Sequence, residues 1–103
     1  KQQAADAGAL RAVVRALDGH QALAGVQEMG CWALVNICSG SDAAGLAHKQ
    51  QAADAGALRA VVRALDGHQA HAGVQEMGCA ALVNICFGSD AAGLARKQQA
   101  ADA

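Results

Sequence analysis

The 103-residue chain is built from a sequence that repeats every 48 residues. The heptapeptide Lys-Gln-Gln-Ala-Ala-Asp-Ala occurs at 1–7, 49–55 and 97–103. The two full copies differ only at four positions, namely Leu23/His71, Trp32/Ala80, Ser39/Phe87 and His48/Arg96. A period of about 20 to 50 residues is typical of proteins in which each unit buries its apolar side against the next. We therefore divide the chain into a first repeat at 1–48, a second at 49–96 and the end of the first helix of a third at 97–103.

Composition predicts that the chain is all-α. Hydrophobic residues make up 53% of it, proline is absent, and alanine, the best helix former, is abundant. In the second repeat, three helices are predicted at 43–55, at 57–65 and from 73 or 74 to 86. The middle helix has apolar residues at the i, i+3, i+4, i+7 spacing of one helix face. In the first repeat the third helix is expected at about 25–38.

Local signals place the ends of these helices. Ser41 or Asp42 can cap the first helix of the second repeat, and Gly56 can end it. Gly88 is placed to end the third helix. The first helix of the first repeat is expected to be truncated, because the sequence starts at Lys1.

The third helix carries two contrasting faces. In the first repeat its buried face is predicted to comprise Val26, Met29, Gly30, Ala33, Leu34 and Ile37. Glycine in a helix interior costs about 1 kcal/mol relative to alanine, so the glycine in mid-helix predicts a close neighbour. A second stripe comprises Glu28, Trp32, Asn36 and Ser39, and two of the four differences between the repeats fall on it. That variation is typical of an exposed, adjustable surface, although four differences are few enough to fall there by chance.

Charge, hydropathy and thiol spacing exclude several classes of protein. Eight basic and nine acidic residues are spread evenly, giving a net charge of −1, so no nucleic-acid-binding surface is predicted. No apolar run reaches the ~18 residues of a membrane span. The four cysteines form two pairs seven residues apart, about 10 Å along a helix, which is too far for a disulfide within it. Free thiols favour a reducing compartment, and we expect a cytoplasmic protein.

No reaction centre or cofactor is predicted. His68 and His71 could approach a metal together with Cys79, but a zinc site needs three or four convergent ligands. The first repeat has Leu23 in place of the second histidine, so solvated loop histidines are the better interpretation. A cysteine–histidine catalytic pair needs a thiolate beside an imidazole in a cleft, and cysteines duplicated on a core helix argue against one. We therefore expect a protein that is not an enzyme.

Two segments of each copy resemble a known repeat family. In the first copy these are Gly-Ala-Leu followed by Val-Val and Leu at 8–17, and Val-Gln-Glu-Met-Gly-Cys-Trp-Ala-Leu-Val-Asn-Ile at 26–37. The pattern resembles the armadillo repeat and covers essentially the whole chain. The resemblance implies an armadillo-like α-solenoid with three helices per 48-residue repeat. The unit is longer than the usual armadillo unit, and the surplus falls at 19–25 and 39–48.

The same resemblance implies a candidate peptide-binding groove. In the nuclear import receptors of the family, third helices line a groove that holds extended peptides. The corresponding candidate residues here are Glu28, Trp32, Asn36, Ser39, Glu76, Ala80, Asn84 and Phe87. An asparagine amide can pair with a peptide backbone, and a tryptophan face can hold a cation. The alternatives are that Trp32 covers an exposed end or a neighbouring chain, and that the two asparagine amides are solvated or bond to a helix.

Two functions follow as hypotheses. The leading one is a non-enzymatic repeat scaffold for protein–protein interaction and self-assembly, because the two apolar ends of the array are complementary and can stack head to tail or form a dimer. The alternative is an adaptor fragment that holds an extended, basic peptide on the third-helix groove. Protein or peptide partners and a homo-oligomer are expected, with neither nucleic acid nor membrane. The near-identity of the copies fits deliberate design as well as recent duplication.

Overall fold

The structure, a computed structural model, describes residues 2–88 and 90–103, with side chains from 6 onward. Lys1, the expected start of the first helix, lies outside them. The helices are α1 (Gln2–Gly19), α2 (Ala24–Ile37), α3 (Ala43–Asp54), α4 (Ala57–Gly67), α5 (Ala72–Ile85) and α6 (Ala91–Asp102). No strand occurs in the described part of the chain, so the all-α prediction is confirmed there. Among the same residues, no helix has the length and apolar character needed to cross a membrane.

The first turn of α3 is fixed by a capping aspartate and a tight loop. Asp42 accepts a hydrogen bond from the backbone N–H of Gly45 at 2.8 Å, and Asp90 caps α6 in the same way. The loop folds back so closely that a Cβ on Gly45 would lie 2.3 Å from the carbonyl oxygen of Gly40. Only glycine fits there, and the predicted start of α3 is confirmed.

One 18-residue sequence adopts two backbone shapes. Residues 2–19 and 50–67 are identical, yet α1 is one helix through Gly8, whereas the second copy breaks at Gly56. Gly56 has a φ of 90°, in the left-handed region that favours glycine. In the second copy Lys49 ties α3 to the end of α2, so the chain must turn at Gly56 before α4 begins. The prediction of a separate first helix in the first copy is therefore wrong.

Corresponding helices of the two copies lie side by side. Contacts join α1 with α4, α2 with α5, and α3 with α6. The amide of Asn84 donates to the carbonyl of Val35 at 2.8 Å, across 49 positions. His68 Nε2 contacts the carbonyl of Gln21 at 2.7 Å across 47 positions. Both separations are close to the 48-residue period, so the second copy is displaced beside the first with each helix next to its counterpart.

The glycine in the middle of each third helix makes room for a leucine of the preceding helix. A Cβ added to Gly30 would lie 2.6 Å from Cδ2 of Leu17, and Gly78 has the same relationship to Leu65. Leu17 is fully buried. This is the close approach predicted from the two glycines.

Candidate interaction surfaces

The eight candidate peptide-binding residues differ in exposure. Trp32 and Phe87 are about half exposed. Asn36, Ser39 and Glu76 are also exposed, whereas Glu28, Ala80 and Asn84 are half-buried. Six of the eight lie on α2 and α5, whereas Ser39 and Phe87 follow the ends of these helices, so the predicted stripe is not helical there.

Some of these groups are already used inside the fold. The Asn84 amide bridges the copies, as described above, and the Ser39 hydroxyl donates to the carbonyl of Asn36 at 3.1 Å. The carboxylate of Glu28 lies against Gly73 on the neighbouring helix, where an added Cβ would be 2.5 Å from Oε1. The stripe therefore contributes both to the contact between the copies and to the exposed surface.

Sequence reasoning missed a buried lysine beneath the Phe87 ring. Lys49 is 1% exposed, and its ammonium donates to the carbonyl of Cys38 while lying 5.4 Å from the ring centroid of Phe87. Burial lowers the pKa of Lys49. Nothing in the local sequence marks this lysine, since its counterpart Lys97 is exposed.

Arg96 is a second functional group that sequence reasoning passed over. It is 3% exposed and donates to the carbonyl of Ile85 at 2.7 Å, to Oε1 of Gln50 at 2.8 Å and to the carbonyl of Phe87 at 2.9 Å. The guanidinium thereby satisfies carbonyl groups left open at the end of α5. Its position is one of the four that differ between the copies, which was a usable signal.

The counterpart of Arg96 in the first copy makes fewer contacts. His48 places Nδ1 3.2 Å from the carbonyl of Ile37 and Nε2 2.7 Å from Oδ2 of Asp6. Both ring nitrogens thus face acceptors. The imidazole links α3 to Asp6 of α1, and Arg96 likewise links α6 to Gln50 in the segment of the second copy that corresponds to residues 1–7.

The four cysteines are free, as expected, but their environments differ between the copies. Cys31 and Cys38 are fully buried, and burial raises the pKa of each to about 11. Cys79 is exposed and Cys86 is half-buried, so the thiols of the second copy are less buried than those of the first.

The two histidines considered as metal ligands have other roles. His71 caps α5, with Nδ1 accepting from the backbone N–H of Val74 at 3.2 Å. His68 contacts Gln21, as noted for the junction between the copies. Across the residues that the structure describes, no group of three or more His, Cys, Asp or Glu side chains could hold a metal ion.

Identical residues are buried in one copy and open in the other, and this difference defines two faces. The front face, on the first copy, comprises Val13, Ala16, Val26, Met29, Gly30 and Ala33. Its counterparts on the second copy pack against the first copy. Val74 and Ala81 are fully buried, whereas Val26 and Ala33 are only half-buried. The front face forms an apolar groove of about 830 Å³ between α1 and α2.

The rear face, on the second copy, shows the reverse. It comprises Gln75, Cys79, Leu82, Val83 and Cys86. The corresponding Cys31 and Leu34 of the first copy are fully buried, while Val83 is 69% exposed. On the first copy these positions lie on α2, which packs against α5 of the second copy, whereas on α5 the same positions lie on the outer side of the described chain. The predicted buried set on α2 is corrected accordingly: only Leu34 is fully buried, Met29 is half exposed, and the other four members are half-buried.

Comparisons of the chain with protein-family models, curated proteins and solved structures give no match. What the fold and the surfaces define is an all-helical protein of two side-by-side copies, with one contact between the copies formed inside the chain. The front face and the rear face are the exposed equivalents of the two surfaces that meet in this internal contact.

Proposed function

We propose that the chain is a non-enzymatic repeat scaffold that assembles with further chains of the same sequence. The rear face of one chain contacts the front face of the next chain. One observation carries the proposal: the contact between α2 and α5 joins surfaces identical, but for the four differing positions, to those exposed on the two outer sides. A surface that binds its complement within the molecule can bind it between molecules.

The apolar residues of the two faces supply the driving force. In the internal junction, Cys31 and Leu34 of the rear side and Val74 and Ala81 of the front side reach full burial. Each square ångström of apolar surface removed from water contributes about 25 cal/mol. The front face has an exposed apolar groove and the rear face has the exposed side chain of Val83. Association of these two faces would bury both apolar surfaces.

Polar contacts of the internal junction have exposed equivalents that would meet across the external one. Arg63 forms an ion pair with Asp18 inside the chain. The corresponding pair between chains is Asp66 of one chain with Arg15 of the next chain. The bond from Asn84 to Val35 would recur as a bond from Asn36 to the carbonyl of Val83. Arg15, Asp66, Asn36 and Val83 are all exposed.

The architecture proposed for the assembled array is an armadillo-like α-solenoid. It is supported by the resemblance of the sequence and by the placement of each helix next to its counterpart. The front and rear faces are different surfaces, so their contact is heterologous and does not close after two chains unless the rotation returns on itself. The free thiols fit a reducing compartment such as the cytoplasm.

Sedimentation velocity over a concentration series tests the proposal. The average mass of the 103-residue chain should rise with concentration, and Val83→Glu on the rear face should abolish the rise while the helical circular dichroism is kept. Ala44→Glu is the matched control, because Ala44 and its counterpart Ala92 are both exposed and lie outside the internal junction. A wild-type chain that stays monomeric up to millimolar concentration would overturn the proposal.

A second candidate is the binding of an extended basic peptide on the third-helix stripe. The half-exposed Trp32, with the exposed amide of Asn36 one turn away and the carboxylate of Glu28 one turn before, favours it. Trp32 is the only tryptophan, so its fluorescence reports this site alone. A titration with an arginine-rich peptide should shift the emission, and Asn36→Ala should weaken the shift. An unchanged emission would remove this candidate.

A further inference from the structure

We infer that, when one chain docks on another, helix α6 of the first chain occupies the first-helix position beside α1 and α2 of the second chain. The inference rests on the proposed function and names the segment that completes the junction. In the second copy α3 precedes the break at Gly56 and packs against α4 and α5. In the first copy α1 runs straight through Gly8, so none of the helices that the structure describes takes the corresponding place.

The sequence of α6 is suited to that place. Residues 91–103 repeat residues 43–55, which include α3, with the single change of His48 to Arg96. Residues 97–103 are moreover identical to residues 1–7. At a junction between two chains, therefore, the same heptapeptide is present twice, and only one of the two segments can occupy the first-helix position.

The straight α1 indicates which of the two segments takes it. Gly8 lies within a continuous helix that carries residues 2–7 onward in the direction of α1. The end of α6 is already anchored at the rear side of its own chain, where Gln99 donates to the carbonyl of Ala53 at 3.1 Å and Arg96 holds the end of α5. The anchored α6 is thus held ready beside the rear face.

One side of α6 is exposed to solvent, whereas the equivalent side of α3 is buried. Lys49 and Ala53 of α3 are 1% and 2% exposed, whereas their counterparts Lys97 and Ala101 are exposed. In the chain α3 is covered by α4 and α5, with Phe87 over Lys49. In the assembly α1 and α2 of the next copy would cover α6 in the same way, with Ser39 in the position of Phe87.

Chemical footprinting over a concentration series tests the inference against the proposed function. The reporters are Lys97 on α6, labelled with an amine reagent, and Cys79 on the rear face, labelled with a thiol reagent. Both residues are exposed, and both have buried counterparts, Lys49 and Cys31. Once most chains are assembled, both labelling rates should fall by about tenfold or more, read by mass spectrometry.

The two reporters separate the two possible failures. Protection of Cys79 with Lys97 still reactive would leave the assembly standing and overturn the role of α6. Reactivity of both residues at every concentration would overturn the assembly and the inference together. A variant pair gives a second measure: Ala101→Glu should weaken assembly at least about tenfold, since its counterpart is buried, while Ala92→Glu, exposed in both copies, should not.

Discussion

The ammonium of Lys49 lies 5.4 Å from the centroid of the Phe87 ring, and the ring covers a charge that is otherwise shut off from water. The ammonium also donates to the carbonyl of Cys38. A cation over an aromatic face gains about 0.5–2 kcal/mol, more when it is desolvated. The first copy has Ser39 in place of the phenylalanine, so its sequence provides no aromatic ring at the equivalent position.

A double-mutant cycle at Lys49 and Phe87 measures this interaction. Phe87→Leu keeps an apolar cover but removes the aromatic face, so we expect a loss of about 1 kcal/mol in the free energy of unfolding. In the Lys49→Met background the same change should cost much less, because no cation remains to be held. Urea unfolding of the four proteins gives the coupling. Equal losses in both backgrounds would show that the ring acts only through its apolar contacts.

Alanine at Gly8 and at Gly56 should have opposite effects although the surrounding sequence is the same. Gly8 lies inside α1, so Gly8→Ala should stabilise the fold by about 0.5–1 kcal/mol. Gly56 has a φ of 90°, and Gly56→Ala should destabilise it by about 1–2 kcal/mol. An added Cβ meets no atom within 4 Å at either position, so packing does not contribute. Thermal unfolding of both variants checks the signs, and a shift in the same direction would contradict the two backbone shapes.

Exchanging the residues at positions 48 and 96 should change stability in opposite directions. Arg96→His removes donors from the carbonyls of Ile85 and Phe87 and from Gln50, so we expect a loss of about 1–3 kcal/mol. His48→Arg supplies five N–H donors to the equivalent end of α2 and should gain about 1 kcal/mol. Guanidinium chloride unfolding compares the two variants with the parent. A stabilising Arg96→His would contradict the role assigned to the guanidinium.

The buried thiols make stability depend on pH above neutrality. Burial raises the pKa of Cys31 and Cys38 from 9.0 to about 11, so both hold their protons longer in the folded chain than in the unfolded one. The contribution of the two protonated thiols to the free energy of unfolding is fully present below pH 9 and is lost as the pH rises towards 11. Over that window each thiol lowers stability by roughly 1.4 kcal/mol per pH unit.

Cysteine variants isolate this effect. Urea unfolding under reducing conditions at several values between pH 8 and 11 should show a shallower fall for the double variant Cys31→Ala, Cys38→Ala. Cys79→Ala is the matched control, because the same residue is exposed in the second copy and should leave the slope unchanged. Parallel curves for the parent and the double variant would count against the buried thiols as the cause.

Helix ends marked by local chemistry could be predicted from the sequence. Asp42 and Gly56 bound α3 within one residue of the prediction, because capping and left-handed turns depend on the residues themselves. The shape of α1 could not be predicted, because its sequence is the same as that of the broken segment and only tertiary contacts distinguish them. For the candidate site, the stripe on α2 and α5 followed from helical spacing. The bond from Asn84 to Val35 did not, since it depends on how far one copy is displaced along the other.

The junction between the two repeats inside the chain is a reference for the proposed junction between chains. Val74 is fully buried, so a substitution there changes the stability of the fold, whereas the same substitution at the half-buried Val26 mainly changes the front face. Because the two positions of such a pair have different surroundings, single substitutions can change the stability of the fold and the proposed association independently. Comparing the effect of one substitution on unfolding, made at Val74, with its effect on the proposed association, made at Val26, therefore measures equivalent contacts within and between chains.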